Sequence, residues 1–191
     1  FNVVSGSSIL GHAVYFQVTQ DDKTIMPAPL YHVAYDISAT TVLYIGGTVI
    51  LLRRFDTIEF LKSLQKENAT LAVLVPVMIN MLIQEPTFKK YDVSSLKTII
   101  DGGEKIPTPV LEKIPEFFPG VWFSRGYGLT ETVSGDTFLT KDAPKEKMVS
   151  DGKPVPMMRI RIVDDNERDV PPRTLGEILL KGPKVFKGYW K

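Results

Sequence analysis

Ser124-Arg-Gly-Tyr-Gly-Leu-Thr-Glu-Thr132 follows directly on the short apolar run Val121-Trp-Phe123. A strand that empties into a glycine-bearing loop is how an open parallel sheet presents a binding edge. The glycines permit close backbone approach and dihedrals barred to other residues. Tyr127 offers a flat face to a nucleobase, the Thr130 hydroxyl can donate to a phosphate oxygen, and Glu131 can hold a hard cation such as magnesium. Together these residues form an inventory for gripping a magnesium nucleotide.

Upstream of this stretch, short apolar runs alternate with amphipathic ones. Thr48–Leu52 is β-branched and apolar and reads as a buried strand. Asp56-Thr-Ile-Glu59 has capping-box spacing and opens a helix with Ile58, Leu61 and Leu64 on one face and Lys62 and Lys66 on the other. Leu71–Val75 is the next strand, and Pro76 suits the first helical position after it. Leu96–Ile100 is a third strand ending at Asp101-Gly-Gly103, and Thr108-Pro109 reads as an N-cap followed by a first-turn proline. Strand–helix–strand alternation predicts an α/β fold with a largely parallel sheet flanked by helices and joined by right-handed crossovers. The strands then end at Pro76, at Gly102-Gly-Glu104 and at Arg125-Gly-Tyr-Gly128, which places these segments on one rim.

Beyond about Lys141 the period changes. Met158, Ile160 and Ile162 alternate with Arg159 and Arg161, the pattern of a half-exposed antiparallel strand, and Glu177–Lys181 is a second strand. Asp164-Asp-Asn166 is a turn between them and Pro171-Pro172 a loop. The expected division is an α/β unit over residues 1–144 and the start of a small β-rich subdomain over 145–191.

Composition sets outer limits. The 191 residues are 43% hydrophobic and 24% charged, enough for a core. A formal net charge of +1 provides no global field for nucleic acid or an acidic membrane surface. With no cysteine, disulfides and thiolate sites are excluded, which suits a cytoplasmic enzyme. The uncharged run Ile37–Leu52 holds 16 residues interrupted by Gly46-Gly47, short of a bilayer span, and reads as core. Phe1–Leu10 has neither the basic start nor the cleavage pattern of a signal peptide. Both ends look cut from a longer chain.

Five segments share one resemblance. Gly126-Tyr-Gly-Leu-Thr-Glu131 resembles the adenine- and phosphate-binding signature of the AMP-forming adenylating enzymes, which include acyl-CoA synthetases, luciferases and peptide-synthetase adenylation domains. In the same order as in that family, Pro29-Leu-Tyr-His32 resembles the acyl-pocket motif and Asp101-Gly-Gly-Glu-Lys-Ile-Pro107 the segment along adenine. Gly152-Lys-Pro154 resembles a short turn, and Gly176-Glu-Ile178, Gly182-Pro183 and Gly188-Tyr-Trp190 a closing series. The resemblance implies ATP-dependent activation of a small carboxylic acid as an acyl-adenylate with release of pyrophosphate, then transfer to coenzyme A. A carrier-protein thiol as acceptor, or a non-catalytic nucleotide-binding module, are the alternatives.

Residue by residue, the resemblance implies a catalytic group of Thr130 on the α-phosphate, Glu131 as the magnesium ligand and His32 as a wall or gate of the acyl pocket. Tyr127 stacks on adenine, whose edge runs along Gly102, Gly103, Glu104 and Lys105, while Gly128 and Thr130 complete the nucleotide set. Tyr35, Gly126 and Gly128 join His32 around the acyl group, the two glycines letting it pass close to the backbone. Two residues depart from the family pattern. Arg125 replaces a small polar residue, either turned away or adding charge near the substrate, and Tyr35 stands where glycine or alanine is common and would shorten the pocket. The resemblance also places a lysine-ending phosphate loop before Phe1, and a ribose-binding aspartate and a C-terminal domain with a catalytic lysine after Trp190. The 191-residue piece is therefore expected to be inactive alone. His12, in the apolar stretch 9–16, carries no assigned role.

Other chemistries fail on spacing. Glu131 occupies the third glycine position of a dinucleotide fingerprint, and no Gly-Lys-Ser/Thr occurs. Gly6-Ser-Ser-Ile-Leu10 lacks the closing glycine of a nucleophile elbow.

Overall fold

The computed structural model describes residues 11–190, so the Phe1–Leu10 and Gly6–Leu10 readings lie outside the described residues. A helical segment at residues 11–15 precedes β1 (Lys23–Met26). Then come α1 (Val33–Ile45), β2 (Thr48–Leu51), α2 (Thr57–Glu67), β3 (Leu71–Leu74), α3 (Pro76–Gln84), β4 (Thr98–Gly102), α4 (Thr108–Phe117) and β5 (Trp122–Tyr127). β6 (Thr137–Phe138) and β7 (Lys153–Pro154) complete a seven-stranded sheet in the order β2-β1-β3-β4-β5-β6-β7. The strands β2, β1, β3, β4 and β5 are parallel, and β6 and β7 are added antiparallel. β8 (Arg159–Val163) and β9 (Glu177–Lys181) form a separate antiparallel pair. This is the α/β architecture expected, with a small β unit after it. The large sheet continues through β7, past residues 144–145, and the second sheet begins at Arg159.

Both faces of the large sheet are covered, so its central strands read as continuous apolar runs. On one face Phe60, Leu61 and Leu64 of α2, Ile79 and Leu82 of α3 and Val110, Leu111 and Ile114 of α4 pack on Ile25, Ala72, Leu74, Ile99 and Phe123. On the other, Tyr35 and Ala39 of α1 pack with Phe16, Met26, Val73, Ile100 and Phe138. Adjacent residues of β3 thus serve opposite cores.

Local chemistry sets the element ends. The Asp56 carboxylate accepts from the Glu59 amide at 2.9 Å and caps α2. Pro76 opens α3, and Gly46, with φ of 92°, closes α1. The uncharged run Ile37–Leu52 is thereby divided between a helix, a turn and a strand. No helix among the described residues is long and apolar enough to cross a membrane.

Several sequence expectations are corrected. Thr48–Leu51 is the sheet edge rather than a buried strand, with Leu51 57% exposed, because only β1 pairs with it. On α2 Leu61 and Leu64 are buried as expected, but Phe60 joins them in the core while Ile58 stays exposed. Thr108 is the first residue of α4, with Pro107 before it, instead of the cap. β4 runs two residues further than expected and takes in Asp101 and Gly102. β5 likewise extends through Arg125, Gly126 and Tyr127, so half of the supposed loop is strand, in register with β4 from Thr98↔Trp122 to Gly102↔Gly126. β1 and α1 carried too weak a pattern to be assigned beforehand: β1 is four residues long, and α1 is apolar nearly all round.

Candidate active site

A cavity of about 510 Å³ opens at the carboxyl ends of β3, β4 and β5. Ligands bind at this rim in open parallel sheets, because the loops there diverge from the strand ends. Its walls include His32 and Tyr35 from the start of α1, Gly102 and Gly103 from the end of β4, and Gly126, Tyr127, Gly128, Thr130 and Glu131 from β5 and the turn after it. The tertiary structure thus brings together nine of the residues singled out from sequence. Glu104 and Lys105 are not among the lining residues, and the Glu104 carbonyl accepts from Arg125 Nη2 at 3.3 Å. The lining also contains residues the motifs did not mark, among them His12, Ser38, Met78, Ser134 and Gly135. His12 is buried edge-to-face on Phe138, with ring centroids 5.1 Å apart, a contact across the fold that no local pattern announces.

His32 is the N-cap of α1, and its Nδ1 accepts from the Ala34 amide over a long 3.4 Å. In the neutral ring the proton then sits on Nε2. Its ring meets that of Tyr35 edge-on at 5.9 Å. Tyr35 is buried, its hydroxyl donates to Met78 Sδ at 3.9 Å, and burial together with the nearby Asp101 charge pushes the phenol up to about 12. It is a fixed, neutral wall of the cavity.

The two glycines of the motif are explained by packing of the chain itself. At Gly126 an added Cβ would lie 2.5 Å from the Phe138 ring, and at Gly128 it would lie 2.3 Å from the Gly135 nitrogen. The Cβ position of each glycine is therefore filled by protein atoms, while the main chain of both still lines the cavity. After Gly128 a single 3₁₀ turn, Thr130–Thr132, presents Thr130 and Glu131 to the cavity, and Val133, Ser134 and Gly135 follow with φ of 56°, 59° and 62°. Thr132 Oγ donates to the buried Asp136 carboxylate, and the Asp136 amide donates to the Tyr127 carbonyl at 2.8 Å. The turn is thus closed on itself.

Glu131 accepts from the Tyr189 hydroxyl, which holds its carboxyl below the usual range and keeps it ionised near neutrality. Among the described residues no group of three or more His, Asp and Glu side chains is gathered as a metal cage. One ionised carboxylate fits magnesium, which commonly takes one or two carboxylates and fills its octahedron with substrate phosphates and water.

Arg125 points to the far side of the sheet from Gly126. It is buried, its Nε lies 3.2 Å from Asp101 Oδ2, its Nη2 lies 3.0 Å from Asp151 Oδ1, and its Nη1 donates to the Val149 carbonyl at 3.2 Å. It is absent from the cavity lining, so of the two roles open to it from sequence it takes the one turned away from the site. Burial pushes the Asp101 carboxyl up to about 7, with the Arg125 guanidinium pulling the other way.

A largely parallel sheet whose carboxyl rim carries a tyrosine, a threonine and a glutamate beside a mixed apolar and polar cavity defines an α/β protein with a ligand-sized site at its strand ends. The comparison with known families narrows this class. Residues 1–190 match the family described as AMP-binding enzyme, and the chain belongs to that family. It is 34% identical over 174 residues to a feruloyl-CoA synthase of Amycolatopsis, covering 91% of this chain and 35% of that protein. It is 33% identical to an indoleacetate–CoA ligase of Aromatoleum aromaticum, covering 91% of this chain and 34% of the relative. The o-succinylbenzoate coenzyme A synthetase of Bacillus subtilis, solved with ATP and magnesium, superposes with a TM-score of 0.84 at 30% identity over 97% of this chain and 38% of that one. The chain spans about a third of the length of these relatives.

Proposed function

We propose that this chain supplies the nucleotide- and acyl-binding rim of an enzyme that activates a small carboxylic acid as its acyl-adenylate and passes the acyl group to the thiol of coenzyme A. The observation that carries this reading is the single cavity on which Tyr127, Thr130 and Glu131 meet His32 and Tyr35. A nucleotide and an acid must share one enclosed space if the acid's carboxylate is to attack the α-phosphorus in line with departing pyrophosphate. The names of the relatives, two of which join aromatic acids to coenzyme A, favour coenzyme A over a carrier-protein thiol.

In this reading Tyr127 stacks on adenine and Gly102-Gly103 run along its edge. Thr130 donates its hydroxyl to an α-phosphate oxygen. Glu131 offers an ionised oxygen to magnesium, which when bound neutralises phosphate charge that would otherwise repel the incoming carboxylate. His32 stands at the mouth with its Nε2 proton available to the acid or the phosphate, and Tyr35 closes the apolar side. Catalysis then rests on positioning and electrostatics, as in phosphoryl transfers generally.

The test is carboxylate-dependent ATP–pyrophosphate exchange by the intact protein, across aliphatic and aromatic acids, with Glu131→Gln alongside. Exchange that follows one acid class and falls about 100-fold or more in the variant is the expected result, the size of loss seen when one electrostatic group is removed from such a site. Nucleotide binding without exchange for any acid would replace this reading by that of a binding module. Thioester formation assayed with coenzyme A and with a pantetheinyl carrier protein separates the two acceptors.

A further inference from the structure

Lys184 belongs to none of the segments assigned to the nucleotide. It is 3% exposed, and its ammonium is spent on one loop 49–50 residues earlier in the chain. Nζ donates to the Ser134 carbonyl at 2.7 Å and to the Gly135 carbonyl at 2.8 Å, and lies 3.3 Å from Asp136 Oδ1. Asp136 is fully buried, and its other oxygen accepts from Thr132. An ammonium with three donors is thus matched by two carbonyls and one carboxylate, and none of its charge is left for solvent.

The position of this cluster gives it meaning. The carbonyls it holds belong to the run Val133–Gly135, three successive residues at positive φ. A β-branched valine is strained there and persists only where its surroundings hold it. That run immediately follows Thr130 and Glu131, and Ser134 and Gly135 themselves line the cavity. The segment carrying Lys184 touches the same turn twice more: the Phe186 amide donates to the Glu131 carbonyl at 2.8 Å, and the Tyr189 hydroxyl donates to the Glu131 carboxylate. Residues 184–189 therefore form a strap that crosses behind the turn and fixes it at the main chain of Glu131, at its side chain and at the two carbonyls beyond.

We propose that Lys184 is a positioning residue for the Thr130–Glu131 turn, acting through the Ser134 and Gly135 carbonyls and the Asp136 carboxylate. The proposal rests on the adenylating function above. Lys184 touches no substrate. It holds the strained turn in the one conformation that keeps the Thr130 hydroxyl and the Glu131 carboxylate on the cavity wall together.

The experiment compares Lys184→Met and Lys184→Gln with the unaltered intact protein by ATP–pyrophosphate exchange kinetics and by amide hydrogen exchange in the absence of nucleotide. Lys184→Met keeps the length and loses the charge, and Lys184→Gln keeps a donor for the carbonyls. The expected result is a fall of about 100-fold in exchange rate at saturating ATP and acid, the size that a displacement of about 1 Å produces, with the KM for the acid little changed. Amides of Ser134 and Asp136 should lose protection while those of β3 and β4 keep theirs, and Lys184→Gln should fall between the other two proteins. Unaltered turnover despite lost protection at the turn would overturn the proposal, as would unaltered protection there. Loss of protection throughout the sheet in both variants would also overturn it, making Lys184 a core residue rather than a support of the turn. Absence of exchange in the unaltered protein would instead sink the adenylating function, a result distinct from all of these.

Discussion

At Gly128 the constraint is a backbone atom. A Cβ there would meet the Gly135 nitrogen at 2.3 Å, and neither side of the turn can retreat without breaking the Asp136 to Tyr127 hydrogen bond. Gly128→Ala is therefore expected to cost about 1–3 kcal/mol, the usual range for overpacking, read as a lowered midpoint in urea or heat. It should also lose nucleotide binding, since Thr130 is two residues away. Tyr35 is the residue most suited to set acid size, because it is buried on the cavity wall and fixed at both ring and hydroxyl. Tyr35→Gly is expected to shift preference toward longer or bulkier acids in the exchange assay. An unchanged order of acids would rule out its shortening role.

Among the elements, β4 and β5 carry the most consequential pair. Their parallel register sets Asp101 opposite Arg125, and both side chains are buried. Removing one partner of a buried pair strands the other, so Arg125→Met is expected to destabilise the fold by about 3–5 kcal/mol. Asp101 also gives the pair a pH signature. Its folded pKa of about 7 exceeds the ordinary 3.8, so between these values the folded state holds more proton than the unfolded one. Its contribution is complete below about pH 4 and is lost as pH rises toward 7. Thermal midpoints measured from pH 5 to 8 should show this decline, and Asp101→Asn should flatten it. Asp22, beside the opposite ends of the strands, behaves in the reverse sense. Although burial resists the charge, bonds from Thr19 and Thr70 and the Lys97 ammonium hold its carboxyl below the ordinary value. That contribution is present at neutral pH and is lost in acid.

For the molecule as a whole, the rim of the sheet gathers His12 and residues from four stretches far apart in the chain: 28–38, 73–78, 100–103 and 126–138. The chain spans about a third of the length of the relatives it matches. The 191-residue chain by itself is expected to show no carboxylate-dependent ATP consumption, checked by pyrophosphate release with the acid that the intact protein prefers. Measurable turnover by the chain alone would overturn that expectation.

The local pattern was enough for the strand–helix alternation, the parallel sheet and the segments at its rim, because a buried parallel strand, a capped helix and a glycine turn each write their requirement into a few consecutive residues. It was also enough for the family, through Gly126–Glu131 and the segments that share its order. It was not enough for the edge position of Thr48–Leu51, the outward turn of Arg125 or the filling of Gly126 by the Phe138 ring. Nor did it show that Lys184 reaches back to Ser134 and Gly135. Those depend on which strand pairs with which and on contacts between residues up to 50 and more positions apart. Burial and charge pairing at such distances are settled only when the chain closes, since no property of Lys184 or Arg125 alone says which carboxylate will neutralise it.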